Sequence, residues 1–197
     1  MPERSSAQRR SPHVPQWTGG VISCVFTAII ILSFWDPAYY KAIGDQTGYM
    51  PVQPVAYSHK QHAGDFSIPC LFCHTAAPQS RVAGIPDAAI CMKCHSQVTN
   101  DSPEIQKVVG AIESGTSIEW IRVTNLPDFV YFNHSRHIAR EIECQHCHGP
   151  VETMDRVYEQ TRMTMGWCVD CHREYMVNPP PETGPVEASV ECSVCHY

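Results

Sequence analysis

Positive charge is scarce in this chain of 197 residues. Its 14 Lys and Arg residues are outnumbered by 20 Asp and Glu, which gives a formal net charge of −6. The first 16 residues hold Arg4, Arg9 and Arg10 against Glu3, so the excess of negative charge falls on the rest of the chain. This balance disfavours nucleic acid as a partner. It favours partners that present basic protein surfaces.

Apolar core material is also limited. Only 43% of the residues are hydrophobic, and that share includes the cysteines. The 16 Pro and 11 Gly residues predict short elements separated by coil. A chain of this kind needs covalent or metal-bound groups to complete its interior. We therefore expect the chain without such groups to be largely unfolded.

The cysteines follow one pattern, since ten of the eleven lie in five Cys-x-x-Cys-His motifs. This pattern is typical of c-type haem attachment, in which two thiols bind the porphyrin and the His ligates its iron. The attachment residues would be Cys70, Cys73, Cys91, Cys94, Cys144, Cys147, Cys168, Cys171, Cys192 and Cys195. The proximal iron ligands would be His74, His95, His148, His172 and His196. We number these motifs first to fifth along the chain.

Two other uses of paired cysteines fit less well. Zinc sites contain Cys-x-x-Cys pairs, but zinc does not require a His directly after every second Cys. A thioredoxin-like redox motif would explain one pair rather than five. The sequence therefore predicts a cytochrome c with five covalently bound c-type haems.

Residues 17–35 are apolar apart from small or weakly polar side chains. As a helix they would span about 28 Å, close to the roughly 30 Å of a bilayer's hydrocarbon layer. Trp17 and Trp35 lie at the two ends, where interfacial aromatic residues are common, and arginines precede the segment. We therefore expect a cytoplasmic tail over 1–16, a transmembrane anchor over 17–35 in the bacterial inner membrane, and a periplasmic haem domain over 36–197.

Two alternatives to an uncleaved anchor are weaker. A secretory signal peptide would end in a small-x-small cleavage site, and none follows the apolar run. A lipoprotein anchor at Cys24 would require the apolar run to end there, but it continues to Leu32.

The rest of the chain contains an internal repeat. A His-x-x-His pair precedes the first motif at His59 and His62, and another precedes the third motif at His134 and His137. The two pairs are 75 residues apart, and the motifs that follow are offset by 74 and 77 residues. This near-constant offset indicates duplication of a two-haem unit. The units cover 55–98 and 130–175, and the fifth haem belongs to 186–197.

The segment between the units is predicted to be a packing element. Ser102 and Pro103 are typical of a helix start, apolar residues follow at helical spacing, and Gly115 is a plausible helix end. Residues 118–123 alternate weakly and predict a short strand. After the second unit, the Pro-rich residues 178–185 predict a stiff, extended spacer.

Four histidines remain as distal ligands for five irons. His13 precedes the predicted anchor, and His146 lies inside the third motif, where it is expected at the surface. The two His-x-x-His segments resemble those of small class III multihaem cytochromes. This resemblance implies that the first His of a pair ligates the nearest haem and the second His a later one. The implied pairs are His59 with His74, His62 with His95, His134 with His148 and His137 with His172.

The iron of the fifth motif then needs another distal ligand. Methionine is the usual substitute, and it raises the haem potential relative to a second His. The available residues are Met50, Met92, Met154, Met163, Met165 and Met176. Class III relatives place such a ligand shortly before the preceding motif, which favours Met165 and then Met163. A methionine can equally be a gap-filling core residue.

Several longer segments resemble the pentahaem cytochrome c subunit of bacterial alternative complex III. They are the N-terminal apolar segment and residues 57–65, 80–86, 132–137 and 163–172. The resemblance implies a class III-like fold, mostly coil with short helices around the haems, plus the anchor. It also implies a membrane complex that contains an iron–sulfur/molybdopterin-like subunit and polytopic quinol-oxidising subunits. The chain would then relay electrons to a periplasmic acceptor or an oxidase.

Two other functions share many of these features. A haem enzyme, such as a nitrite reductase, would need an open iron site, and the ligand count does not call for one. A membrane-anchored multihaem quinol dehydrogenase that feeds a periplasmic reductase differs only in its partners. We therefore expect a non-catalytic electron-transfer subunit of an oxidoreductase complex.

Overall fold

The computed structural model describes residues 17–34, 45–179 and 188–196. The chain divides into two compact units, Met1–Tyr40 and Lys41–Tyr197. The helices are α1 (Trp17–Phe34), a π-helix (Lys60–Asp65), α2 (Cys70–Cys73), α3 (Ala88–His95), α4 (Pro103–Ser114), α5 (His134–Ile138), α6 (Cys144–His148), a 3-10 helix (Val151–Thr153), α7 (Met165–Val177) and α8 (Cys192–Cys195). Within the described ranges, β-structure is limited to one antiparallel bridge between Val130 and His196. The prediction of short helices joined by coil is confirmed.

The N-terminal compact unit, Met1–Tyr40, contains α1, which covers all but the last residue of the predicted span 17–35. The helix has no acidic or basic residue, and its apolar side chains are exposed. Residues 1–16, with His13, and Trp35 lie outside the described residues. None of the helices in the described parts of the chain combines the length and the apolar character needed to cross a membrane.

The helix predicted between the two repeated units is present as α4. Pro103 is its first residue, and Gly115 ends it in the left-handed conformation at φ 66°. Ser102 lies at the N-cap but forms no side-chain capping bond. Instead, the Glu104 carboxylate accepts a hydrogen bond of 2.7 Å from the backbone N–H of Ala56. This bond ties the helix to the segment that leads into the first His-x-x-His pair.

The strand predicted over residues 118–123 is wrong, because this segment is irregular. The side-chain amide of Gln53 takes the place of a strand partner. Its Nε2 donates to the carbonyl of Ile121 at 2.8 Å, and its Oε1 accepts from the Ile121 N–H at 2.9 Å. One side chain thus satisfies both backbone groups of Ile121 without a ladder.

The two repeated units pack through equivalent contacts. The N–H of Lys60 donates to the carbonyl of Met154 at 3.0 Å, and the N–H of Ser135 donates to the carbonyl of Ser80 at 3.1 Å. Lys60 and Ser135 are 75 residues apart, and Ser80 and Met154 are 74 apart, as the repeat requires. The contacts are therefore reciprocal, as at an interface between two copies of one unit. We call these contacts the inter-unit interface.

Few apolar side chains are buried. Among the described residues, the buried hydrophobic side chains are Val55, Ala77, Ile105, Val108 and Met154. Met154 belongs to the inter-unit interface, and Ile105 and Val108 belong to α4. Protein side chains therefore form only a small hydrophobic core in the described part of the chain, as the composition predicts.

Candidate haem sites

The first His-x-x-His pair is oriented by an aromatic ring. His59 lies directly before the π-helix, and His62 lies within it. The edge of the Tyr57 ring meets His59, with centroids 4.8 Å apart and an angle of 87°. The same ring stacks on His62 at 4.4 Å and 27°. Tyr57 therefore fixes the two imidazoles in different orientations.

The second pair repeats this arrangement on a regular α-helix. Phe132 meets His134 edge-on at 4.8 Å and 89°, and it stacks on His137 at 4.5 Å and 26°. His134 is the first residue of α5. The sequence alone predicted no role for Tyr57 or Phe132. The signal was present, because an aromatic residue stands two positions before the first His in both units.

Three of the four implied ligand pairs face each other in the structure. The ring centroids are separated by 6.0 Å for His62–His95, 6.3 Å for His134–His148 and 6.2 Å for His137–His172. Two imidazoles on opposite sides of one metal ion, with bonds of about 2 Å to each nitrogen, have ring centres about 6 Å apart. The space between each pair therefore fits one iron. These pairings were implied by sequence resemblance, and as ligand assignments they stay predictions.

The fourth implied pair is His59 with His74, and both residues are half-buried. Burial lowers the pKa of His59 to about 4, and the nearby imidazoles of His74 and His62 lower it further. Its Nδ1 is buried and has no hydrogen-bond partner. A neutral imidazole is the form that binds a metal. The His148 pKa is also lowered, by burial and then by His134 and His74.

Most of the imidazoles are held by backbone carbonyls. Nδ1 contacts are formed by His62 with Ser58 O (2.8 Å), His74 with Gly84 O (2.7 Å), His95 with Val98 O (3.1 Å), His134 with Arg81 O (2.8 Å), His137 with Asn133 O (2.9 Å), His172 with Ser189 O (2.7 Å) and His196 with Phe129 O (3.2 Å). A carbonyl oxygen can only accept, so Nδ1 carries the proton and Nε2 is left as a ligand. Such outer contacts are typical of metal-binding histidines. The donor set therefore fits haem iron.

The motif cysteines are free thiols rather than disulfides. Burial raises the pKa of Cys147 to about 11, and the thiols of Cys171, Cys168 and Cys144 add to the rise. These thiols belong to the third and fourth motifs, which must therefore lie close together. Free cysteines next to a positioned His are what covalent haem attachment requires.

The fifth motif is fixed against the segment that leads into the second His-x-x-His pair. The His196 ring stacks on Phe129 at 5.9 Å and 29°. The N–H of Tyr131 donates to the carbonyl of Cys195 at 2.7 Å. Residues 180–187, which include most of the predicted Pro-rich spacer, lie outside the described residues. The spacer therefore stays a prediction.

The methionine predicted to ligate the fifth iron is at the surface. Met165 is the first residue of α7, and its side chain is 70% exposed. Met163 is half-buried. The role of Met165 stays a prediction. His146 is exposed, as expected, and its Nε2 lies 3.8 Å from the Cys171 sulfur.

Two comparisons with known proteins find cytochrome c relatives of this chain. A family described as "Cytochrome c7 and related cytochrome c" matches residues 130–197, which hold the third, fourth and fifth motifs. The chain is also 30% identical over 166 residues to the "Menaquinone reductase, multiheme cytochrome c subunit" of Nitratidesulfovibrio vulgaris (strain Hildenborough). That alignment covers 73% of this chain and 76% of the relative.

Proposed function

Since the chain belongs to the multihaem cytochrome c family, we propose that it is the electron-transfer subunit of a quinone-linked membrane oxidoreductase. It would hold five c-type haems through the five motifs. The observation that carries this proposal is the set of facing imidazoles at 6.0–6.3 Å. Each of these pairs would hold one iron between two imidazoles, which suits electron transfer and leaves no open position on that iron for a substrate.

Haem iron supplies one-electron chemistry, and the chain supplies its binding and environment. The cysteines hold the porphyrin, and Nε2 of each paired His holds the iron. The backbone carbonyls that accept from Nδ1 fix the tautomer and the ring orientation. Tyr57 and Phe132 keep each distal pair in place.

Two observations bear on the direction of electron flow, and they favour opposite directions. The resemblance of residues 57–65 and 163–172 to the alternative complex III subunit favours quinol oxidation, with electrons passed to a periplasmic acceptor. The relative from Nitratidesulfovibrio is named for menaquinone reduction. The proposed partners in either case are an iron–sulfur/molybdopterin-like subunit and polytopic membrane subunits. The haem domain would lie on the periplasmic side, held by the segment 17–35.

The relay role is tested by adding carbon monoxide to the reduced, haem-loaded protein. If axial positions are filled as proposed, the absorption spectrum should hardly change. Rapid binding of one carbon monoxide per chain would instead favour a haem enzyme with an open iron site. The attachment to a membrane is tested separately by intact-mass analysis, which should find residues 1–35 retained.

The composition of the complex and the direction of electron flow are tested together after affinity purification from membranes. An iron–sulfur subunit and polytopic subunits should copurify. A menaquinol analogue should then reduce the haems if the complex oxidises quinol. If the complex reduces quinone, haems reduced by dithionite should be reoxidised much faster after addition of a menaquinone analogue than in buffer without quinone. Copurification with a single periplasmic reductase would favour the quinol dehydrogenase alternative.

A further inference from the structure

Motifs that are neighbours along the chain are not all neighbours in space. The first and second motifs do lie together. His59 and His62 are on one helical segment, and the His62 ring faces His95 of the second motif at 6.0 Å. The ammonium of Lys93, inside the second motif, lies 6.0 Å from the ring centroid of Phe72, inside the first.

The first motif is also next to the third. His134, which faces His148 of the third motif, donates from Nδ1 to the carbonyl of Arg81. Arg81 lies in the segment after the first motif, and His74 of that motif donates to Gly84 in the same segment. The backbone N–H of His134 also donates to the carbonyl of Arg81 at 3.2 Å, and the N–H of Ser135 donates to the carbonyl of Ser80 at 3.1 Å. Cys70 and Cys144, which begin the first and third motifs, are equivalent residues of the repeat. The inter-unit interface therefore joins the first motif of one unit to the first motif of the other.

The third motif contacts the fourth in the way the first contacts the second. His134 and His137 both lie on α5, and the His137 ring faces His172 of the fourth motif at 6.2 Å. His146, inside the third motif, approaches both Cys171 and Trp167. The fourth motif is in turn next to the fifth. His172 donates from Nδ1 to the carbonyl of Ser189, three residues before the fifth motif begins.

We infer that the five attachment motifs form a row in the spatial order second, first, third, fourth, fifth. The first and third motifs lie at the centre because the units meet through equivalent surfaces. The second motif is consequently one end of the row, and the fifth motif is the other.

The consequence for function rests on the proposed relay role. Electrons would enter and leave at the second and fifth motifs, so a redox partner would dock beside Cys91–His95 at one end and beside Cys192–His196 at the other. The first motif, although it comes first in the chain, would be an interior position. The order of the row itself is a property of the folded chain and does not depend on which partners exist.

The experiment is to locate the five irons in the full haem-loaded protein by anomalous scattering or cryo-electron microscopy. The iron held by His74 should have two nearest neighbours, the irons held by His95 and His148. The iron held by His196 should have one, the iron held by His172. If the iron of His95 instead lies next to that of His148, the row follows the chain and the inference is wrong. A correct row in a protein that copurifies with no quinone-linked subunit would refute the proposed function alone.

A cross-linking test in solution needs no crystal. The backbone bond between Ser135 and Ser80 places these residues within range of a disulfide. Cys24 lies outside the five motifs, so it is replaced by Ser in every variant of this test. In the haem-loaded variant Cys24→Ser/Ser80→Cys/Ser135→Cys, a mild copper oxidant should close a bond within one chain, and the intact mass should fall by two hydrogen atoms. The variants that carry only one of the two exchanges at Ser80 and Ser135 are the controls and should keep a free thiol. Two free thiols in the oxidised variant that carries both exchanges would contradict contact between the first and third motifs.

Discussion

Replacing Gly64 by Ala should weaken the inter-unit interface. Gly64 lies in the π-helix, and a Cβ built on it would collide with the backbone carbonyl oxygen of Glu152 in the 3-10 helix. A backbone carbonyl cannot rotate away as the end of a long side chain can. The added methyl must therefore push the π-helix away from the unit it contacts. His59 and His62 would move with it.

The size of the effect follows from two opposing terms. Exchanging Gly for Ala stabilises a protein by about 0.4–1 kcal/mol when the site has room, because the unfolded chain loses freedom. Forcing a methyl into a filled contact costs about 1–3 kcal/mol. The net loss should be about 1–2 kcal/mol. In a domain of this size, each kcal/mol lowers the melting temperature by about 2–4 °C.

A second glycine in the same chain is a matched control. Gly110 lies inside α4, and nothing lies within 4 Å of a Cβ placed there. Gly110→Ala should therefore raise the stability by about 0.5–1 kcal/mol. Both variants add one methyl group to a glycine. The difference between their free energies of unfolding therefore isolates the contact with Glu152.

The assay is thermal or guanidinium unfolding of the haem-loaded proteins, followed by the Soret band and by circular dichroism. Gly64→Ala should melt below the wild type, and Gly110→Ala should melt at or above it. Gly64→Ala should also show more high-spin haem, since the distal pair is displaced. Equal stability of Gly64→Ala and Gly110→Ala, with unchanged spectra, would refute the reasoning.

Three further predictions concern single side chains. His62→Ala should turn one of the five irons high-spin while its thioethers remain, whereas His146→Ala should change none; an unchanged low-spin count in His62→Ala would assign that iron to another ligand. Met165→His should lower the highest haem potential and leave the other four nearly in place, and an unmoved top potential would assign the fifth iron to another ligand. Glu159 is only 2% exposed, burial raises its pKa, and its Oε2 has no partner. The folded state therefore binds the proton more tightly than the unfolded state, so stability should fall as the pH rises from about 4.5 through the raised pKa. Glu159→Gln should remove that slope in denaturation measured across pH, and parallel curves for both proteins would exclude the effect.

The sequence could predict the features that depend on particular residue types at a fixed spacing. The motifs are short and need their cysteines and histidines at fixed spacing. The repeat shows as a constant offset. The α4 helix carries its own start and stop residues, Pro103 and Gly115. Each of these signals is read from residue types and their spacing along the chain, so no knowledge of packing is required.

The features that sequence could not predict depend on backbone groups or on distant partners. Every residue has a carbonyl, so nothing marks Gly84 or Ser189 as the acceptor for a histidine. The strand predicted over 118–123 failed because Gln53, far away in sequence, satisfies Ile121 instead. The first His-x-x-His pair lies at a π-helix and the second on an α-helix, although both follow an aromatic residue two positions before the first His.

The fifth motif gives the row an asymmetry that the repeat alone would not produce. Two equivalent units that meet through equivalent surfaces generate a row with two equivalent ends, the second and fourth motifs. Such a row has no inherent direction. The segment that leads into the fifth motif contacts the fourth motif through Ser189. The fifth motif itself contacts the segment before His134 at Phe129 and Tyr131. One end is thereby extended and the other is not, so the two ends present different surfaces and different ligand sets to their partners. If Met165 or another group other than His completes the fifth iron, the difference also becomes one of potential. A relay that must accept electrons from one protein and deliver them to another requires this kind of difference between its ends.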